Sequence, residues 1–285
     1  MIQNVSLILE GGTFRTVYTA GVLDAFLEEE LFFPYVVGIS AGAINAVSYV
    51  SKQKQRTINV LTKYRNDPRY MGVRNYWKEQ SLFGLDFSYN VIPNELILFD
   101  WETYYNYEGE VEMGVTNAQT GKVVFMDAKT MGKDCMMLRA TCAIPFVFPE
   151  ILIDGTAYYD GGLANAIPVD RAIEKGYRRH VLILTRPKNY KKKSGIGTKM
   201  GVSLLKKKYP NLIRTMHNRA SCYNNRMADI KKMEENGEVF VFRPNRALKS
   251  FEGDVSKMQE GYELGYIDAR NQMQNLKKFI EQVEV

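Results

Sequence analysis

The sequence predicts an α/β domain with a mostly parallel central sheet that is mixed at one side. Three observations carry that prediction. Short apolar runs at residues 5–9, 35–39, 123–126, 180–185 and 239–242 have the length and β-branched content of buried strands. Helix-like stretches separate several of them, which is how a chain crosses over between parallel strands. Two places carry turn signals of antiparallel hairpins instead. Asp154-Gly155 lies between Ile151-Leu152-Ile153 and Ala157-Tyr158-Tyr159, and residues 117–121 lie between apolar runs at 111–116 and 122–126. With 285 residues, 45% of them hydrophobic, the chain can bury one large core. No internal repeat or second core is visible, so residues 1–285 are expected to form a single domain.

The first strand runs into Glu10-Gly11-Gly12-Thr13-Phe14-Arg15-Thr16 and then into an amphipathic stretch over residues 17–30. A glycine-rich loop between strand and helix aims several backbone N–H groups into one concavity, suited to a phosphate or to a developing oxyanion. Nucleotide-binding patterns fit it poorly. The chain has no G-x-x-x-x-G-K-[ST], and Thr13 and Thr16 stand where a dinucleotide fingerprint needs glycine.

The second strand ends in Gly38-Ile39-Ser40-Ala41-Gly42, a G-x-S-x-G followed by the helical Ala43-Ile44-Asn45-Ala46-Val47. In this strand–turn–helix setting the glycines allow a sharp turn that presents a serine hydroxyl at a helix N-terminus. Ser40 is therefore a candidate nucleophile.

Residues 67–107 are dense in aromatics without clean periodicity, and read either as a lid or as an aromatic satellite core. After the hairpins comes Asp160-Gly161-Gly162, an aspartate at the end of a returning strand whose two glycines admit close approach. Further on, residues 188–208 are rich in lysine and fit either a solvated loop or a patch for anionic lipid. Beyond about residue 209, helix-like stretches at 212–236 and 254–283 flank a strand at 238–244; this extension is expected to pack beside the core sheet.

A Ser-His-Asp triad needs a histidine, and the chain has two. His180 opens a strand-like apolar run and His217 lies in a polar helical stretch, neither being a loop that would deliver a base. The base expected for Ser40 is therefore a carboxylate, and Asp160 is the candidate.

This order of motifs resembles the patatin-like phospholipases over residues 5–187, including Arg139-Ala140-Thr141-Cys142-Ala143-Ile144-Pro145-Phe146 shortly before the aspartate. The resemblance implies a three-layer α/β/α sandwich with a mostly parallel, partly mixed sheet. It implies Ser40 as nucleophile, Asp160 as general base and acid, and the backbone of Gly11, Gly12 and Thr13 as an oxyanion hole. Arg15, Gly38, Gly42, Gly161 and Gly162 support the motifs. Arg15 is expected to hold the loop by bonding carbonyls rather than to meet an anionic head group. The sequence departs from the family loop at Thr13 and Thr16, and a positive φ at either would strain a threonine by about 1–2 kcal/mol.

The expected activity is lipid acyl hydrolysis, of phospholipase A, lysophospholipase or esterase type, through an acyl-enzyme. The alternative is a catalytically idle relative that binds acylated ligands or membrane lipid in the same pocket. Nucleotide binding is disfavoured by the missing lysine and ribose-binding acid. No cofactor is expected, and neither histidine nor cysteine spacing offers a metal site. The charge balance, 38 basic against 32 acidic residues or +6, comes with no nucleic-acid motif. Three cysteines do not make a disulfide framework and point to a reducing compartment. The polar first residues do not read as a signal peptide, so a cytoplasmic protein with peripheral membrane contact is expected.

Overall fold

The computed structural model describes residues 2–193, 195 and 199–281. The first half of the chain forms β1 (Val5–Leu9), α1 (Val17–Glu28), β2 (Tyr35–Ile39), α2 (Ala41–Val50), α3 (Arg56–Tyr64), α4 (Val73–Glu79) and α5 (Trp101–Tyr105). Strands β3 (Glu110–Asn117) and β4 (Val123–Asp127), helix α6 (Met136–Thr141), and strands β5 (Ile151–Ile153) and β6 (Thr156–Asp160) follow. The remainder is α7 (Val169–Glu174), β7 (Arg179–Ile183), α8 (Lys199–Lys208), α9 (Pro210–Glu235), β8 (Val239–Phe242) and α10 (Val255–Glu281).

The strands β8, β7, β1, β2 and β3 lie side by side in parallel. Strand β4 and the β5–β6 hairpin pair with β3 antiparallel, so the sheet is mixed on the predicted side. Asp154 and Gly155 both take positive φ, 49° and 74°, the conformation a two-residue hairpin turn requires.

Period-two alternation divides the central strands between two cores. Val5, Leu7, Leu9, Val36, Val181 and Ile183 face the helices α1, α2, α6 and α10. Ile8, Tyr35, Val37, Leu182 and Leu184 face α7 and α9. Helices thus cover both faces, which is why β1 and β2 are buried throughout and read as continuous apolar runs.

The C-terminal extension completes the sheet rather than standing apart. β8 extends it beyond β7, and α10 crosses α1 at a small-residue contact where a Cβ on Gly21 would fall 2.0 Å from the Tyr262 carbonyl oxygen. Asp24 of α1 is buried there, accepting hydrogen bonds from the Gln55 amide (2.9 Å) and the Tyr262 hydroxyl (2.8 Å). Burial pushes its carboxyl up to about 6.

The aromatic segment at 67–107 is largely part of the main core, with only Phe87 and Ile92 of its buried residues in a small satellite cluster beside Tyr64, and its Phe83, Tyr89 and Phe99 also line the cavity next to Ser40. Phe83, Phe87, Tyr89, Phe99, Tyr104 and Tyr107 are buried, several of them within a wide π-type helix (Phe87–Leu96) and its flanks. Trp77 on α4 is exposed. In the basic run, Lys188, Lys191, Lys193, Lys206, Lys207 and Lys208 are exposed while Lys192 turns inward; residues 194 and 196–198 of that run lie outside the described residues, as does the predicted helix end at 283. No helix among the described residues is long and apolar enough to cross a membrane.

Candidate active site

Ser40 and Asp160 are 120 positions apart and meet through the register of one strand. Residues 112–114 of β3 pair with β2 and β4, and Val115 and Thr116 pair with β4 and β6. A strand has two edges, so β6 takes over the edge that β2 leaves. Ile39 sits opposite Gly114 and Asp160 opposite Val115, the next residue. The serine that follows Ile39 therefore comes up against the aspartate that ends β6, close enough for its hydroxyl to act as a hydrogen-bond partner of the carboxylate.

The serine is held in a strained conformation, φ 54° and ψ −131°, of a kind that costs on the order of 1–3 kcal/mol. Its surroundings impose this. The Ser40 amide donates to Thr141 Oγ1 (2.9 Å), which donates in turn to the Gly114 carbonyl (2.6 Å). The Ser40 carbonyl accepts from the Ala43 amide at 2.9 Å and so begins α2. The flanking glycines are steric necessities: a Cβ on Gly38 would lie 2.6 Å from Ala43 Cα, and one on Gly42 2.5 Å from the Leu9 carbonyl oxygen.

Asp160 is 4% exposed and anchored on three sides. Its amide donates to the Ala143 carbonyl (2.9 Å), its carbonyl accepts from Thr116 Oγ1 (2.8 Å), and its Oδ1 accepts from the Gly162 amide (2.7 Å). A Cβ on Gly161 would fall 2.1 Å from the Gly114 carbonyl oxygen, so glycine is required for the turn to hug β3. Burial raises the Asp160 carboxyl above the usual aspartate range, opposed by the Arg219 charge, the Ser40 hydroxyl, the Gly162 amide and the Lys192 charge. The Cys142 thiol also neighbours the Ser40 hydroxyl, and burial pushes it up to about 12, so it stands there as a neutral thiol.

The loop after β1 passes directly beside the serine: a Cβ on Gly11 would sit 2.9 Å from Ser40 Cβ, and one on Gly12 2.9 Å from Thr185 Oγ1. Among the described residues, the amides of Gly11, Gly12 and Thr13 make no hydrogen bond, whereas that of Glu10 donates to Ile183 and that of Phe14 to Ser250. Thr13 takes the positive φ that its position demands, 52°. Thr16 does not; at φ −71° it donates from Oγ1 to the Thr13 carbonyl (2.8 Å) and braces the strained residue.

Arg15 does hold the loop, but through hydroxyls and not through carbonyls. Its guanidinium donates to Thr185 Oγ1 (3.4 Å) and to the Ser250 hydroxyl, because the chain brings the loops after β7 and β8 to its buried side chain. Glu10 is buried alongside, accepting from the Thr185 amide (2.6 Å), Thr185 Oγ1 (3.1 Å) and the Tyr223 hydroxyl (3.0 Å).

Neither histidine joins the site. His180 is fully buried in β7, 2.8 Å from Ser6 Oγ, and burial lowers it to about 4. His217 lies exposed on α9. Among the described residues, no three metal-ligating side chains cluster.

One side of Ser40 opens into an apolar cavity of about 140 Å³. Its walls include Phe14, Ile44, Val47, Leu61, Phe83 and Ile92. That volume is comparable to a cavity that admits a benzene ring, about 150 Å³.

Sequence reasoning missed Glu10, Thr141, Thr185, Lys192, Arg219 and Tyr223 as neighbours of the site. Thr141 lay inside a quoted motif, but nothing local marks its hydroxyl as the support of Ser40. Lys192 is indistinguishable by type from the solvated lysines around it.

A model of the domain described as patatin-like phospholipase matches residues 7–173, and a domain of unknown function (DUF6363) matches residues 209–281. The uncharacterized protein YjjU of Escherichia coli (strain K12) is 24% identical over 282 residues, covering 93% of this chain and 76% of its own length. The crystal structure of VipD from Legionella pneumophila aligns with a TM-score of 0.45 at 12% identity, covering 95% of this chain and 66% of that one. With the family model spanning more than half of its length, the chain belongs to the patatin-like phospholipases, a family of lipid acyl hydrolases.

Proposed function

We propose that the protein hydrolyses carboxylic esters of lipids with Ser40 as nucleophile and Asp160 as general base and acid. The observation that carries this reading is the strained Ser40, set against a buried carboxylate at the mouth of an apolar cavity. A binding protein gains nothing from the strain, and functional sites are where such strain collects.

The acyl chain enters the apolar cavity and its ester carbonyl rests against Ser40. Asp160 takes the serine proton as Oγ attacks the carbonyl carbon. Negative charge gathers on the former carbonyl oxygen, where the unpaired amides of Gly11, Gly12 and Thr13 stabilise it. The tetrahedral adduct collapses, the alcohol leaves with the proton from Asp160, and an acyl-serine remains. Water, deprotonated by Asp160, attacks the acyl-serine; the second tetrahedral adduct collapses, Asp160 returns the proton to Ser40 Oγ, and the fatty acid is released. The raised carboxyl makes Asp160 a stronger base than an exposed aspartate, which is what a dyad without histidine needs. The reaction so written draws on no cofactor.

The test is hydrolysis of p-nitrophenyl esters and labelling by a fluorophosphonate, followed by intact mass. Turnover and adduct should vanish in Ser40→Ala, and turnover should fall about 10³-fold or more in Asp160→Asn. Only the deprotonated carboxylate accepts a proton, and its range lies above that of an ordinary aspartate. The acid limb of kcat/KM is therefore expected at higher pH than an exposed aspartate would give, with activity falling about tenfold per pH unit on its acid side. Equal residual rates in all three folded proteins, with no adduct, would overturn the reading.

A further inference from the structure

Four cations gather beside Asp160 and Glu10, and none of them lines the apolar cavity next to Ser40. Arg15 comes from the loop after β1, Arg186 and Lys192 from the segment after β7, and Arg219 from α9. Among the described residues, none of the four has a carboxylate within ion-pair distance, although fourteen such pairs exist elsewhere. Long basic side chains are rarely left so on a half-buried surface unless an anion completes them.

The cations are built in rather than loosely exposed. Asn224 clamps the Lys192 backbone from both sides, accepting from its amide (2.9 Å) and donating to its carbonyl (3.1 Å). Lys192 Nζ lies 4.4 Å from the centre of the Tyr223 ring, and the Arg186 guanidinium 4.2 Å from that of Tyr190. The Tyr190 and Tyr223 rings meet edge to face at 6.0 Å, so both cations sit on one aromatic ledge. The Arg186 Nε is buried with no hydrogen-bond partner. Arg219 is fixed by donating from Nε to the Gly162 carbonyl (2.8 Å), and a methyl placed on Gly162 would touch both Asp160 Oδ1 (3.0 Å) and Arg219 Nη2 (3.8 Å). Glu10 and Asp160 are the carboxylates that face this group, which leaves four positive charges against two negative. Burial, with Arg219 next, lowers Lys192 to about 8; Arg15 and Arg186 act in the same direction and Glu10 opposes them.

The position of this group relative to the reaction gives it a role. With the acyl chain in the apolar cavity, the leaving oxygen must face Asp160, which returns its proton. Whatever the alcohol carries then lies toward Arg219 and Lys192. We propose that Arg186, Lys192 and Arg219, backed by the buried charge of Arg15, form a subsite for a net-anionic, phosphate-bearing head group on the alcohol side of the scissile ester. This rests on the hydrolase reading above. It adds that a phosphate monoester or other net-anionic head is preferred to a zwitterionic choline head, whose ammonium the cluster repels, and to an uncharged glyceride.

The experiment compares kcat/KM for lysophosphatidate, lysophosphatidylcholine and monoacylglycerol with the same decanoyl chain, below their micellar concentrations. Lysophosphatidate should exceed monoacylglycerol by about tenfold or more, with the choline ester between them. The ratio of charged to uncharged ester should fall about tenfold in Lys192→Ala and in Arg186→Ala and be kept in Lys192→Arg, a split that a fold defect would not produce. Glycerol 3-phosphate should inhibit monoacylglycerol hydrolysis competitively in the wild type. Equal kcat/KM for the three esters in an active wild type would overturn the subsite and leave the hydrolase intact. Inorganic phosphate inhibiting as well as glycerol 3-phosphate, with no preference among esters, would overturn the head-group assignment in favour of a free-anion site. No turnover of any ester would overturn the hydrolase reading and with it the leaving-group role. Calorimetry with glycerol 3-phosphate then tests the anion site alone: binding lost in Lys192→Ala sustains it, and no binding in the wild type overturns it.

Discussion

The two flanks of Ser40 are unlike in composition and in origin. The apolar flank is lined from residues 13–148, all inside the segment matched by the patatin-like model, by side chains that pack on one another. The cationic flank takes three of its four charges from residues 186–219, beyond that segment, where side chains are pinned by single hydrogen bonds and aromatic faces. One flank offers free energy in proportion to the apolar area it removes from water, without regard to direction. The other offers a field, which discriminates charge and leaves chain length alone. The hydroxyl between them belongs to neither flank; its position depends on the β3 register and on Thr141.

That separation can be broken from the centre. Thr141→Val would leave the Ser40 amide and the Gly114 carbonyl without their buried partner, two groups that cost about 1–3 kcal/mol each when unsatisfied. The expected outcome in chemical denaturation is a loss of about 2–5 kcal/mol. Activity should fall on charged and uncharged esters alike, with their ratio unchanged. A change in the ratio would mean that Thr141 acts on one flank and not on the elbow.

The apolar flank can be altered alone. Val47→Phe adds volume to the wall of a cavity of about 140 Å³ and removes room for roughly two methylenes. At about 0.8 kcal/mol per methylene, kcat/KM for a decanoyl ester should fall on the order of 15-fold while an acetyl ester is little affected. Equal losses on both chain lengths would place the acyl chain elsewhere.

The third prediction concerns what burial does in the absence of the cationic flank. Asp24 is buried beside neutral donors and its carboxyl is raised to about 6, from an unperturbed value of 3.8. Between those values the native state holds a proton that the unfolded state has lost, so stability falls as pH rises from about 4 to 6. Asp24→Asn should remove that slope and stabilise the protein at pH 8 by on the order of 2 kcal/mol, read from denaturation midpoints at pH 4.5 and 8. A slope that persists in Asp24→Asn would assign the effect to another buried carboxyl, Asp160 first among them.

Much of this was legible in the chain. Strand and helix order followed from apolar runs and turn residues, and Asp154-Gly155 gave a hairpin because that pair tolerates two positive φ angles in succession. The dyad candidates were legible for a related reason: a serine between glycines and an aspartate before glycines are both short-range patterns. What Arg15 bonds to was not legible, because Ser250 and Thr185 reach it from 235 and 170 positions away. The inward turn of Lys192 was hidden for the same reason, its anchor Asn224 lying 32 residues on in helix α9.

The sequence by itself determined where a sharp strand-to-helix turn presents a hydroxyl, where a backbone loop leaves amides unpaired, and which carboxylate stands at a strand end. Those are properties of a few consecutive residues, set by sterics and backbone dihedrals. Only the tertiary structure decided that Gly114 and Val115 align Ser40 with Asp160, that Glu10 is tied to Tyr223 across 213 residues, and that the charges collect beside Asp160 and Glu10. Pair interactions between distant segments depend on register and burial, and neither is written in any local run of residues.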